Sequence, residues 1–86
     1  MSLVMAKPGE RVLIREMVGG KTARTRMADM GLRLGDHIEI INNSGEGRLI
    51  LARGCTRLAI GRGIAQKVMV SLAHEEKDET RKEGHR

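Results

Sequence analysis

A chain of 86 residues with a net charge of +5 and a single cysteine is one small domain, able to bury only about 60% of its unfolded surface and closed to any internal disulfide. No apolar run approaches the ~20 residues of a membrane span and the start lacks a signal peptide's basic-then-apolar layout, so the expected setting is cytoplasmic. Phe, Trp and Tyr are absent, which leaves Leu, Ile, Val, Met and Ala to build the core and removes the usual stacking platforms for single-stranded nucleic acid.

Residues 1–8 read as a leader ending at Pro8, with Met1, Ser2 and Leu3 outside the expected core. Pro8-Gly9-Glu10 is a turn signal. Val12 and Ile14 then alternate with Arg11, Leu13 and Arg15, the pattern of a half-buried strand that ends at Gly19-Gly20. On a helix that follows, Met27 lies about 40° and Met30 about 20° either side of Ala23, so the three form one apolar stripe. Lys21, Thr25 and Ala28 face the other way, flanked by Arg24 and Asp29. Arg26 lies beside the stripe, three residues before Asp29, and reads as structural. Gly31 stands where a helix needs a left-handed cap, which costs glycine nothing sterically, and Leu32 can fold back onto the helix end. The helix should be little more than two turns long.

Gly35-Asp36 bends the chain into a second strand, in which Ile38 and Ile40 alternate with His37 and Glu39. The turn formers from Asn42 to Gly47 make a hairpin loop. Leu49 to Ala52 is an apolar run of strand length whose inward face the pattern leaves open, and Gly54 ends it. Leu58 and Ile60 alternate with Arg57 and Ala59. Gly61-Arg62-Gly63 turns into a brief helical piece around Ile64 to Lys67, and Val68, Val70 and Leu72 form a last strand. Five short strands joined by tight turns avoid exposed edges by curling up. The expected fold is therefore mainly β: a small five-stranded SH3-like barrel over residues 9–72, with one short helix inserted after the first strand. Residues 73–86 read as a charged, disordered tail. That tail carries Lys77, Arg81, Lys82 and Arg86 against Glu75, Glu76, Asp78, Glu79 and Glu83, a net −1 that leaves +6 on the body.

The segment Arg26-Met27-x-Asp29-Met30-Gly31-Leu32-x-x-Gly35, followed by Arg57-Leu58-Ala59-Ile60 and Ile64-Ala65-x-x-Val68-x-Val70, resembles the FeoA family. The likeness spans about residues 6 to 72. It implies an SH3-like barrel that serves as a cytosolic accessory of bacterial ferrous iron transport, and a FeoB-type membrane permease with its cytoplasmic GTPase domain as partner. Many relatives carry a Pro-x-Gly-Asp-Pro type loop between the second and third strands, where Asn43-Ser44-Gly45-Glu46-Gly47 stands here. The same barrel closes iron-dependent repressors of the DtxR type. No DNA-binding helix pair precedes it in this chain.

A barrel this small is filled by its own side chains and leaves no cleft for chemistry. No catalytic residue is assigned: Cys55 has no histidine near it in sequence, and Gly61-Arg62-Gly63 lacks the lysine and spacing of a phosphate loop. His37 and Glu39, two apart on one strand, could share a side as a pair of metal ligands, with Cys55, His74, His85 and Asp36 the other available donors. A lone strand histidine and a lone thiol read as ordinary residues, so neither a metal site nor a cofactor nor a small-molecule substrate is expected. The basic body admits two readings. In the first, Lys21, Arg24 and Arg33 present positive charge beside a barrel edge to an acidic protein face, making a docking module held near the membrane by its partner. The alternative is a small basic barrel binding RNA or DNA through arginines scattered from Arg11 to Arg62. Exposed barrel edges also suit pairing into a homodimer.

Overall fold

The structure, a computed structural model, describes residues 1–73; the charged tail from residue 74 lies outside the described residues. Strand β1 (Arg11–Met17), β2 (His37–Asn42), β3 (Leu49–Arg53), β4 (Thr56–Ile60) and β5 (Val68–Leu72) form one sheet in the order β4-β3-β2-β1-β5, with every pairing antiparallel. Helix α1 (Lys21–Asp29) follows β1 and a single turn, α2 (Arg62–Ala65), precedes β5. This is the expected meander with one inserted helix, an SH3-like barrel.

Alternation decides which side chains enter the core. Val12 and Ile14 from β1, Ile38 and Ile40 from β2, and Val68 and Val70 from β5 are all buried. In β3 it is Leu49 and Leu51 that point inward, while Ile50 is half-buried. α1 covers the core with Ala23 and Met27, and Met27 joins the main cluster. Ala73, just past β5, is buried as well.

The first eight residues differ from the leader expected of them. Leu3–Met5 form a 3₁₀ turn, and Leu3 and Ala6 are buried in the main cluster. The main chain of Met1 exchanges hydrogen bonds with Val70, and Ser2 bridges to Met69 on β5. Two side chains fasten this segment: Ser2 Oγ donates toward the Ala65 and Gln66 carbonyls (both 3.2 Å), and Asn43 Nδ2 donates to the carbonyls of Val4 (3.0 Å) and Ala6 (2.8 Å) while its Oδ1 accepts from Arg62. A three-residue turn is too short to carry a readable period, and an asparagine in a loop reads as a turn former. Neither signal reveals a contact made across 37 or more positions.

Candidate functional site

The helix-to-strand connection is built from backbone hydrogen bonds that the glycines make available. Gly31 has φ +84°, the left-handed geometry that ends a helix. Its N–H donates to the Ala28 carbonyl (2.9 Å) and the Leu32 N–H to that of Met27 (3.0 Å), the paired bonds of a Schellman cap, with Leu32 and Met27 both buried behind it. The next turn is held as firmly. The Arg33 N–H donates to Asp36 Oδ2 (2.8 Å), the Asp36 N–H returns to the Arg33 carbonyl (3.1 Å), and the Gly35 N–H reaches the Ile14 carbonyl on β1 (2.7 Å). From β3, Arg53 Nη1 donates to the Gly31 carbonyl and lies 3.5 Å from Asp36 Oδ2. One guanidinium thus fixes both ends of the connection.

Between this connection, β1 and α1 lies a groove of about 430 Å³. Its floor is Ile14, Met27 and Leu32, all buried. Met17 forms one wall and Leu34 the other, the latter 64% exposed. Arg24, Arg33 and Glu16 stand at its rim.

Met17 reaches the groove because β1 is bulged. The register against β5 shifts between Ile14 and Glu16, so the inward positions run 12, 14, 17 instead of 12, 14, 16, and Glu16 is exposed. A bulge of this kind re-aims the side chains beyond it. Leu34 is turned outward because Leu32 already fills the inward position and Gly35, at φ +92°, bends the chain back toward β1.

Of the expected docking residues, Arg24 and Arg33 come together on this groove, and neither makes an ion pair among the described residues. Lys21 sits in the first turn of α1 and does not line the groove. It adds charge to a helix start that has no side-chain cap, Gly20 occupying that position, so positive ends of backbone dipoles and a lysine accumulate there. The sequence pattern does not point to Met17, Leu34 and Glu16 as site residues. The available signal is the break in alternation at Arg15-Glu16-Met17.

The other candidates are placed as follows. His37 is exposed at the start of β2 with Glu39 half-buried two residues on, and Cys55 is exposed in the β3–β4 turn. Asp36 is engaged with Arg33 and Arg53. Among the described residues, no three His, Cys, Asp or Glu side chains form a group able to hold a metal ion. Of the scattered arginines, Arg53 and Arg62 are committed to internal hydrogen bonds, which thins the phosphate-binding surface that the nucleic-acid reading needs. None of the described helices is long and apolar enough to cross a membrane.

Strand order, inserted helix and surface groove define the class: a small SH3-like barrel whose accessible features, among the described residues, lie on its outside. The FeoA domain model matches residues 1–72. The chain is 37% identical over 71 residues, 83% of its own length and 85% of the relative's, to "Putative Fe(2+) transport protein A" of Methanocaldococcus jannaschii. A crystal structure described as the iron uptake regulatory protein FeoA superposes with a TM-score of 0.76 at 34% identity, covering 81% of this chain and 93% of that one. The manganese regulator SloR shares the fold alone, with a TM-score of 0.74 at 12% identity over 83% of this chain and 34% of its own. The protein belongs to the FeoA domain family.

Proposed function

We propose that the protein is a non-enzymatic, cytoplasmic accessory of ferrous iron uptake that docks on the cytoplasmic GTPase part of a FeoB-type membrane permease and modulates it. Membership of the FeoA domain family supports the pathway, as does the name of the relative from Methanocaldococcus jannaschii. The observation that carries the docking mode is the meeting of Arg24 and Arg33 on the rim of an apolar groove with an exposed leucine on its wall. Interfaces combine such an apolar centre with a charged rim, the rim charges steering the encounter and fixing orientation. Lys21, one turn before on the same helix face as Arg24, extends the positive field. No bond is made or broken in this role; the barrel acts by occupying a position on its partner.

The test is a pull-down with the isolated GTPase domain and, separately, with the whole permease, using the wild type and a variant carrying Lys21→Glu, Arg24→Glu and Arg33→Glu. All three residues are exposed, and far-UV circular dichroism of the variant checks that it is folded. Retention of the wild type and loss of the variant is the expected result. Equal retention of both removes these residues from the interface. Failure of the domain and of the whole permease alike to retain the wild type removes the partner.

A further inference from the structure

We propose that the groove between β1 and α1 is an anchor pocket for one apolar side chain presented on an acidic segment of the docking partner. This rests on the docking reading above and goes further by stating what the partner brings to the surface.

The first ground is the firmness of an apolar exposure. Leu34 is 64% exposed, yet its loop is pinned at Gly35 to the Ile14 carbonyl (2.7 Å), at Arg33 to Asp36 (2.8 Å) and at Gly31 to Arg53. A leucine on a floppy loop would lose conformational freedom on binding and weaken the contact. One already held in place loses little, and that is what makes preorganised contacts strong. The floor of the groove is apolar, formed by the buried Ile14, Met27 and Leu32, so an apolar side chain set against it is removed from water.

The second ground is the make-up of its walls. Met17 and Met27 line it together, and thioether side chains adapt their shape to an incoming group more readily than branched ones. This suits the capture of an apolar side chain without a fixed demand on which one. The charge at the rim then narrows the carrier. Arg24 and Arg33 are exposed, and neither is in an ion pair among the described residues. Carboxylates beside the anchor would meet both guanidiniums. Glu16 is the only acidic residue lining the groove among the described residues. The rim thus carries two guanidiniums against one carboxylate, a balance that favours an acidic segment over a basic one. A partner segment that is neutral or basic would leave both arginines unmatched and lose the steering they provide.

The experiment measures binding of the isolated GTPase domain of the permease to the full chain by calorimetry, for the wild type, Leu34→Ala, Leu34→Asp and Arg33→Glu. Leu34→Ala is expected to weaken binding by about tenfold and Leu34→Asp by about a hundredfold, the range for a central anchor. Far-UV circular dichroism and thermal melting stay unchanged, because Leu34 packs on its surroundings only in part. Arg33→Glu is expected to weaken binding and flatten its salt dependence. If the wild type binds and Leu34→Asp binds equally well, the anchor pocket is refuted while docking stands. If Leu34→Asp instead abolishes self-association of the wild type in sedimentation, the groove takes a second copy of this chain and the acidic partner segment is refuted. Absence of wild-type binding to both the GTPase domain and the whole permease overturns the docking reading and this inference with it.

Discussion

Arg53 Nη1 donates a hydrogen bond to the carbonyl of Gly31, 22 positions earlier in the chain. The last residue of β3 thereby holds the end of α1, and the same guanidinium faces Asp36 at 3.5 Å. The connection that carries Leu34 is thus held from β3, two strands away from β1 in the sheet.

Gly31 is required twice over. Its φ is +84°, and a Cβ built there would lie 3.3 Å from Arg53 Nη2. Gly35 has a similar φ of +92° with nothing within 4 Å of the added carbon. Gly35→Ala is expected to cost about 1–2 kcal/mol from backbone strain alone, and Gly31→Ala more, because the Arg53 contact is disturbed as well. Urea unfolding followed by far-UV circular dichroism checks the order.

Arg53→Met removes a charge-assisted bond to a backbone carbonyl and is expected to cost about 1–3 kcal/mol. Arg53→Lys recovers only part of it, since one ammonium cannot serve Gly31 and Asp36 in the planar geometry of a guanidinium. Asp36→Asn keeps an acceptor for the Arg33 N–H and loses only the ion pair. With side chains 35% and 26% exposed, that pair contributes less than about 1 kcal/mol. Thermal melting of the three variants separates the two contributions.

Leu3→Ala leaves a cavity in the main cluster and is expected to cost about 2–4 kcal/mol. Asn43→Ala strips the carbonyls of Val4 and Ala6 of their donor and is expected to cost about 1–3 kcal/mol. Both loosen the N-terminal segment from β5. Faster hydrogen exchange at the Val70 amide, which donates to the Met1 carbonyl at 2.7 Å, reports that loosening residue by residue.

Gly20→Asp separates stability from docking. Gly20 has φ −86° and room for a side chain. A carboxylate there can cap the bare start of α1 and interact favourably with its dipole, for a gain of a few tenths of a kcal/mol. The same carboxylate opposes Lys21 and Arg24 in attracting an acidic partner. A higher melting temperature together with weaker binding to the GTPase domain is the expected pair of results.

Local chemistry makes much of this barrel legible in the sequence. Gly31 announces the helix end, the alternation at Ile38 and Ile40 announces an inward face, and both hold in the structure. Arg24 and Arg33 are readable as surface charge, but their convergence is not, because one sits on a helix and the other in the turn beyond it. Met17 is hidden by a bulge, which breaks the period on which strand reading relies. Leu3 and Asn43 are hidden for a different reason: their partners lie far along the chain, and no window of neighbouring residues contains both members of such a contact.

Pairing of Met1 and Ser2 with β5 has a last consequence, for assembly. It uses up backbone groups along one flank of the sheet, while β4 ends the sheet on the opposite flank with Arg57 exposed. Among the described residues the N-terminal segment thus shields part of β5, which directs any incoming strand to the β4 flank instead.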